Sequence, residues 1–185
     1  MQRGAEIDLQ DSKGYTALMN AAQHGHELVV ELLLQRGANV DLQSSDGFTA
    51  LMGAAGKGHE RVVELLLRHG AEVNQQSKIG NTALMDAAYK GHERVVDTLI
   101  RHGAEINLQT DNGDTALMFA ALGNHPAVVL RLLRAGADMT LCAKKGKTAL
   151  RLAKEKGHAE CVEAFRTYLG EVTAARSEAL SAEAG

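Results

Sequence analysis

One tetrapeptide restricts what this chain can become. Thr16-Ala17-Leu18-Met19 returns at residues 49–52, 82–85 and 115–118, with a degraded copy, Thr148-Ala149-Leu150-Arg151, and the spacing is 33 residues each time. The same register carries Gly14, Gly47, Gly80, Gly113 and Gly146, then His26, His59, His92, His125 and His158, then Gly-Ala pairs at Gly37, Gly70, Gly103 and Gly136. A fixed period without insertions means one small unit copied five times. No such unit buries its apolar face alone, so the copies must stack into a continuous core.

The unit reads as two helices behind a turn. Asp46-Gly47 and Asn112-Gly113 are tight-turn dipeptides, because glycine accepts positive φ without a Cβ clash. The following Thr is placed to cap a first helix over roughly 50–57, with Ala54 and Ala55 on its buried side. Gly58-His59 breaks it, and a second helix starts near Glu60, an acid at the positive helix end. Val62, Val63, Leu66 and Leu67 make one apolar stripe at helical spacing, and Gly70 closes the helix in the left-handed conformation. In the fourth copy Pro126 takes the first helical position, and Asn124 replaces the loop glycine, as the next residue to tolerate a left-handed turn.

The period, the turn glycine, the Thr-x-Leu box, the Gly-His pair and the closing Gly-Ala together resemble the ankyrin repeat, over about residues 4–169. Ala and Met stand where that family usually has Pro and His in Thr-Pro-Leu-His. The resemblance implies an all-α solenoid of helix-turn-helix units with β-turn or hairpin tips. The short helices and tips would form a concave face and the longer helices the convex back. Five units at about 10 Å give a curved rod of roughly 50 Å. The array is expected over 1–170, as a partial repeat 1–10 and repeats 11–43, 44–76, 77–109, 110–142 and 143–170, followed by a C-terminal helical or frayed tail over 171–185.

Residues 1–10 nearly copy residues 35–43, so the chain starts in mid-repeat, with no polar cap. This suggests a segment of a longer array; a natural start at this point and an engineered chain are the alternatives. Leu18, Val29 and Leu33 are expected to be only partly shielded by residues 4–10, which makes the protein a monomer or a weak self-associator. Phe165, Tyr168 and Leu169 fill the closing region, and Gly170 is expected to interrupt the last helix. Variation at framework positions favours a natural protein over a designed ankyrin scaffold: Thr98, Arg131 and Ala164 stand where Leu32 and Leu65 stand.

No sign of catalysis accompanies the fold. The chain lacks a nucleophile elbow, a phosphate loop, His-Glu-x-x-His and Cys-x-x-Cys, so no enzyme and no cofactor are expected. Five of the eight histidines repeat about 10 Å apart, whereas zinc ligands converge to about 2.0–2.1 Å, so no metal is expected. The resemblance gives each ring a structural role instead, bracing the loop between its own two helices. His69 and His102 precede the closing glycines, at the negative helix end. Cys142 and Cys161 are expected as buried or half-buried hydrophobes in a reducing, intracellular, cytoplasmic setting. Net charge is −3 and no apolar run is long enough to span a bilayer, so neither nucleic acid nor membrane is an expected partner. The distal end is basic through Lys144, Lys145, Lys147, Lys154 and Lys156, which suits an acidic partner patch or a plain solvated face. Gln10, Gln43, Gln76 and Gln109 form either a reader of a partner's backbone or, the favoured reading, a ladder of amides across neighbouring hairpins.

What varies inside a regular frame points to function. The tips carry Tyr15, Phe48, Asn81, Asp114 and Lys147 at one position, with Ile79 beside them. The short helices carry Asn20, Gly53, Asp86, Phe119 and Leu152 at a second position and Gln23, Gly56, Tyr89 and Leu122 at a third, flanked by Lys57 and Lys90. Four of the six aromatic residues fall in these sets. They are the expected contacts for a protein partner on the concave face.

Overall fold

A computed structural model describes residues 6–183. Among these residues there are ten α-helices and no strand. The short helices are α1 (Ala17–Gln23), α3 (Ala50–Lys57), α5 (Ala83–Lys90), α7 (Ala116–Leu122) and α9 (Ala149–Lys156). Each is followed by a longer partner: α2 (Glu27–Gln35), α4 (Glu60–Arg68), α6 (Glu93–Arg101), α8 (Pro126–Arg134) and α10 (Ala159–Glu183). Every short helix packs on the next short helix, and α2, α4, α6 and α8 pack in the same order behind them.

The local reasons hold copy by copy. Thr16, Thr49, Thr82, Thr115 and Thr148 accept a bond from the backbone N–H three residues on, at 3.2–3.3 Å. Each such cap is worth about 1 kcal/mol. Val62, Val63 and Leu66 are fully buried in α4, as are Val95, Val96 and Leu99 in α6, against the alanine faces of the short helices. Gly70 closes α4 at φ +84, and Asn124 takes φ +60 in the loop before α8.

Neighbouring repeats are also sewn together by hydrogen bonds. At the tips Ser45 N–H donates to Lys13 O, Lys78 N–H to Asp46 O, Asp111 N–H to Ile79 O and Lys144 N–H to Asn112 O, all at 2.8–3.1 Å. The glutamines form the amide ladder: Gln43 Nε2 donates to Gly47 O in its own hairpin and to Gln76 O in the next, and Gln10, Gln76 and Gln109 repeat the pattern. A second ladder, not anticipated above, uses Asp8, Asp41, Asn74 and Asn107, whose side-chain oxygens accept the backbone N–H groups of Asn39, Glu72, Glu105 and Asp138. The odd framework residues are matched as well. Arg101 donates to the buried Thr98 hydroxyl, and Arg131 bridges Glu93 and Asp97 of α6.

The two ends depart from expectation. Leu18 is only 2% exposed, because α1 lies against α3 and α2. The bare surface is on α2, where the expectation holds: Leu33 is half-buried and Val29 is 47% exposed, whereas Val62, Val95 and Val128 at the same register position as Val29 are 0% exposed beneath a preceding repeat. Residues 4 and 5 of the proposed shield lie outside the described residues. At the other end Gly170 does not interrupt α10, which continues to Glu183. Glycine inside a helix costs only about 1 kcal/mol relative to alanine. Glu171 just beyond it is tied to Arg134 of α8 at 2.6 Å.

Candidate functional site

The histidine row comes first because it fixes the backbone of the candidate face. Four of its five rings reach past their own loops to the preceding repeat. His59 Nε2 bonds the Gln23 carbonyl at 3.1 Å, His92 Nε2 the Gly56 carbonyl at 3.3 Å, and His125 Nε2 the Tyr89 carbonyl at 2.9 Å, each in the preceding repeat. His158 does the same to Ala121 through Nδ1 at 2.9 Å. These carbonyls lie in the last turns of the short helices, where carbonyls have no intrahelical partner, so each repeat completes the helix end of its neighbour. His26 stacks on His24. Burial holds the His92 imidazole below the usual histidine range. His69 and His102 turn Nδ1 onto the Leu65 and Thr98 carbonyls at their own helix ends.

Among the described residues no group of three His, Cys, Asp or Glu side chains is placed to hold a metal ion. Adding Zn²⁺, or a chelator, should leave the melting temperature unchanged within about 1 °C, since a specific site would stabilise the fold by mass action. A chelator-induced drop of several degrees in a scanning calorimeter would contradict this. The cysteines split: Cys161 is buried, and burial pushes its thiol up to about 11, while Cys142 is exposed, against expectation, in the loop segment leading into the last tip. No helix among the described residues is long and apolar enough to cross a membrane.

The face itself is built from the tips and the short helices. Tyr15, Phe48, Asn81, Asp114 and Lys147 at the tips are half-buried, and Ile79 is 62% exposed. On the short helices Asp86, Phe119, Gln23 and Leu122 are half-buried, while Asn20, Lys57 and Lys90 are exposed and Tyr89 is 46% exposed. The rings pair: Tyr15 lies 5.9 Å from Phe48, tilted, and Tyr89 meets Phe119 edge-to-face at 6.1 Å. Both separations suit favourable aromatic contacts. Asn20 donates back to Thr16 O, and Lys147 is engaged by Glu155.

Two recesses gather these residues. One, of about 180 Å³, brings Gln23, Phe48, Lys57, Asp86, Tyr89 and Lys90 around Gly53 and Gly56. Lys90 Nζ stands 5.2 Å over the Tyr89 ring. Burial raises the Asp86 carboxyl to about 6, partly offset by the charge of Lys90. The other, of about 380 Å³, brings Asp114 and Leu152 to the basic tip of Lys144, Lys145 and Lys147. There burial also raises the Asp114 carboxyl. Asn20, Ile79 and Asn81 line neither recess. Phe119 and Leu122 line neither recess, although Phe119 supports Tyr89 from the side.

Compared with known families, the sequence matches the one described as Ankyrin repeats (3 copies), over residues 1–77, 69–142 and 84–176. No curated protein matches the chain.

Proposed function

The chain belongs to the ankyrin repeat family, and from that premise we propose that it is a non-catalytic module that holds a protein partner on the face made by its tips and short helices. Repeats of this family are in general protein–protein interaction modules. The observation that carries the finer reading is the contrast between frame and face. Threonine caps, amide ladders and the valine-leucine stripe recur from repeat to repeat, while the face positions change, and the face keeps Tyr89 and Ile79 well exposed and three further rings half-covered. Aromatic side chains bury large area at low entropic cost, which is why they dominate interface energetics. The two free thiols suit a reducing compartment inside a cell.

The test is affinity purification with mass spectrometry to obtain a partner, then calorimetric titration of Phe48→Ala, Tyr89→Ala and Phe119→Ala. At least one should cost roughly 2 kcal/mol of binding or more. Arg61→Ala and Arg94→Ala, on the opposite side in exposed pairs with Glu27 and Glu60, should cost less than about 0.5 kcal/mol. Because the rings pack on each other, each alanine also removes about 1–2 kcal/mol of stability, more than a fully free surface ring would. Unchanged affinity in the triple variant would place the partner on another face.

A further inference from the structure

The recess between α3 and α5 is a notch made by missing side chains. At its two face positions the second repeat carries Gly53 and Gly56, where the others carry Asn20, Asp86, Phe119 and Leu152, and Gln23, Tyr89, Leu122 and Glu155. Phe48 leans over the first glycine, so that a Cβ there would stand 3.2 Å from Phe48 Cε1, and a Cβ on the second would stand 3.5 Å from the Asp86 Cβ. The notch thus has a glycine floor, the Phe48 ring on one side, and Asp86 with Tyr89 on the other.

Asp86 is the unusual wall. Asn20, at the same register position, satisfies its amide by donating to Thr16 O. A carboxylate has no proton to donate to the matching Thr82 O. Asp86 accepts no hydrogen bond from any described residue, and neither Lys57 nor Lys90 reaches ion-pair distance of it, Lys90 lying over the Tyr89 ring instead. It sits in the first turn of α5, where the helix end only partly offsets its charge. A half-buried carboxylate that shares a recess with two aromatic rings, with two exposed lysines also lining it, is complementary to a cation that is itself flanked by acids.

We propose that this notch receives an arginine side chain of the partner, its guanidinium held by the Asp86 carboxylate against the Phe48 and Tyr89 rings, while acidic residues next to that arginine meet Lys57 and Lys90. Arginine fits better than lysine because its planar fork bonds a carboxylate with two parallel N–H groups and stacks on an aromatic face. A recess of about 180 Å³ is large enough for one such side chain. The inference rests on the binding-face reading above and specifies one contact within it.

The test uses the full chain, labelled with ¹⁵N, titrated with the blocked peptides acetyl-Glu-Arg-Glu-amide and acetyl-Glu-Gln-Glu-amide. The arginine peptide should shift the amides of Gly53, Gly56, Asp86 and Tyr89 with millimolar affinity, and the glutamine peptide should bind at least about tenfold more weakly. Asp86→Asn should remove that preference while keeping the spectrum of the folded protein, since asparagine is already accommodated at residue 20. The carboxyl at about 6 adds a pH signature. Arginine-peptide affinity should rise about tenfold from about pH 5 to about pH 7.5 as the carboxylate ionises. The charged and titratable groups around Asp86 are Lys57 at the end of α3, Tyr89 and Lys90 of α5, and His59 and His92, which bond the Gln23 and Gly56 carbonyls behind the floor, and the same titration of Asp86→Asn cancels whatever they contribute. Equal shifts from both peptides, or an unchanged preference in Asp86→Asn, would overturn the proposal. If that happens while Phe48→Ala and Tyr89→Ala still abolish partner binding, the arginine contact fails and the face stands. If the peptide result holds but those variants leave the partner bound, the binding-face reading fails, and with it the proposal that the partner supplies the arginine.

Discussion

Replacing Phe165 by alanine will cost about 3–5 kcal/mol of stability, confined to the C-terminal end of the array. Phe165 is 0% exposed and stands at the register position of Leu66, Leu99 and Leu132. α10 packs on both α8 and α9, so the ring is the main apolar anchor holding the last helix pair to the stack. Removing it forfeits the transfer energy of the ring and leaves a cavity that only partial relaxation can close. In a stack where each unit touches only its neighbours, the damage stays local. Hydrogen exchange should therefore accelerate over residues 149–183, while α3 to α6 keep the protection they have in the parent protein. Urea denaturation showing a loss below about 1 kcal/mol would mean that the long helix is held by something other than this ring.

Gly91→Ala should cost about 2–3 kcal/mol, against about 1 kcal/mol for Gly103→Ala. Both glycines have positive φ, +77 and +86, so an alanine suffers similar backbone strain at either position. Their surroundings differ. A Cβ at Gly103 meets nothing within 4 Å, whereas a Cβ at Gly91 collides with the His125 ring, as one at Gly58 would stand 2.6 Å from the His92 ring. To make room the imidazole must leave the Tyr89 carbonyl, and an unpaired carbonyl in a helix end then costs a further kilocalorie or so. The protein contains its own control: Asn124 brings a Cβ to this position, and there His158 engages Ala121 through Nδ1 instead of the next residue through Nε2. Gly91→Ala should also weaken partner binding, because it loosens the backbone that carries Tyr89. Equal stability losses at the two glycines, measured by thermal and chemical denaturation, would show that the Gly-His contact between repeats contributes nothing.

The two substitutions probe different layers of the same argument. Helix pairs, their threonine caps and the buried stripe follow from residues close in sequence, so the 33-residue period alone locates α3 over residues 50–57 and places Pro126 and Asn124 correctly. The glutamine ladder was readable too, since a row of identical amides at one register position has equivalent neighbours on either side. The Asp8, Asp41, Asn74 and Asn107 row is equally regular but harder to read, because its residue type changes from acid to amide halfway along.

What the period cannot carry is the displacement from one repeat to the next. That vector decides that His59, His92, His125 and His158 point at the preceding repeat and not at their own loops, because the unsatisfied carbonyls of a helix end lie within their reach there. It decides that Phe48 covers Gly53, that Tyr15 and Phe48 form one ring pair and Tyr89 and Phe119 another, and that the Asp86 carboxylate faces a notch with no hydrogen-bond partner among the described residues. It also lets α10 run through Gly170, since the packing of Phe165 and the Arg134–Glu171 bridge outweigh a single glycine's weak helix propensity. The sequence by itself therefore determined the unit, its caps and the stacked architecture. Only the tertiary structure decided which side chains meet across repeats, because those contacts depend on a rise and rotation between units that no residue within one unit specifies.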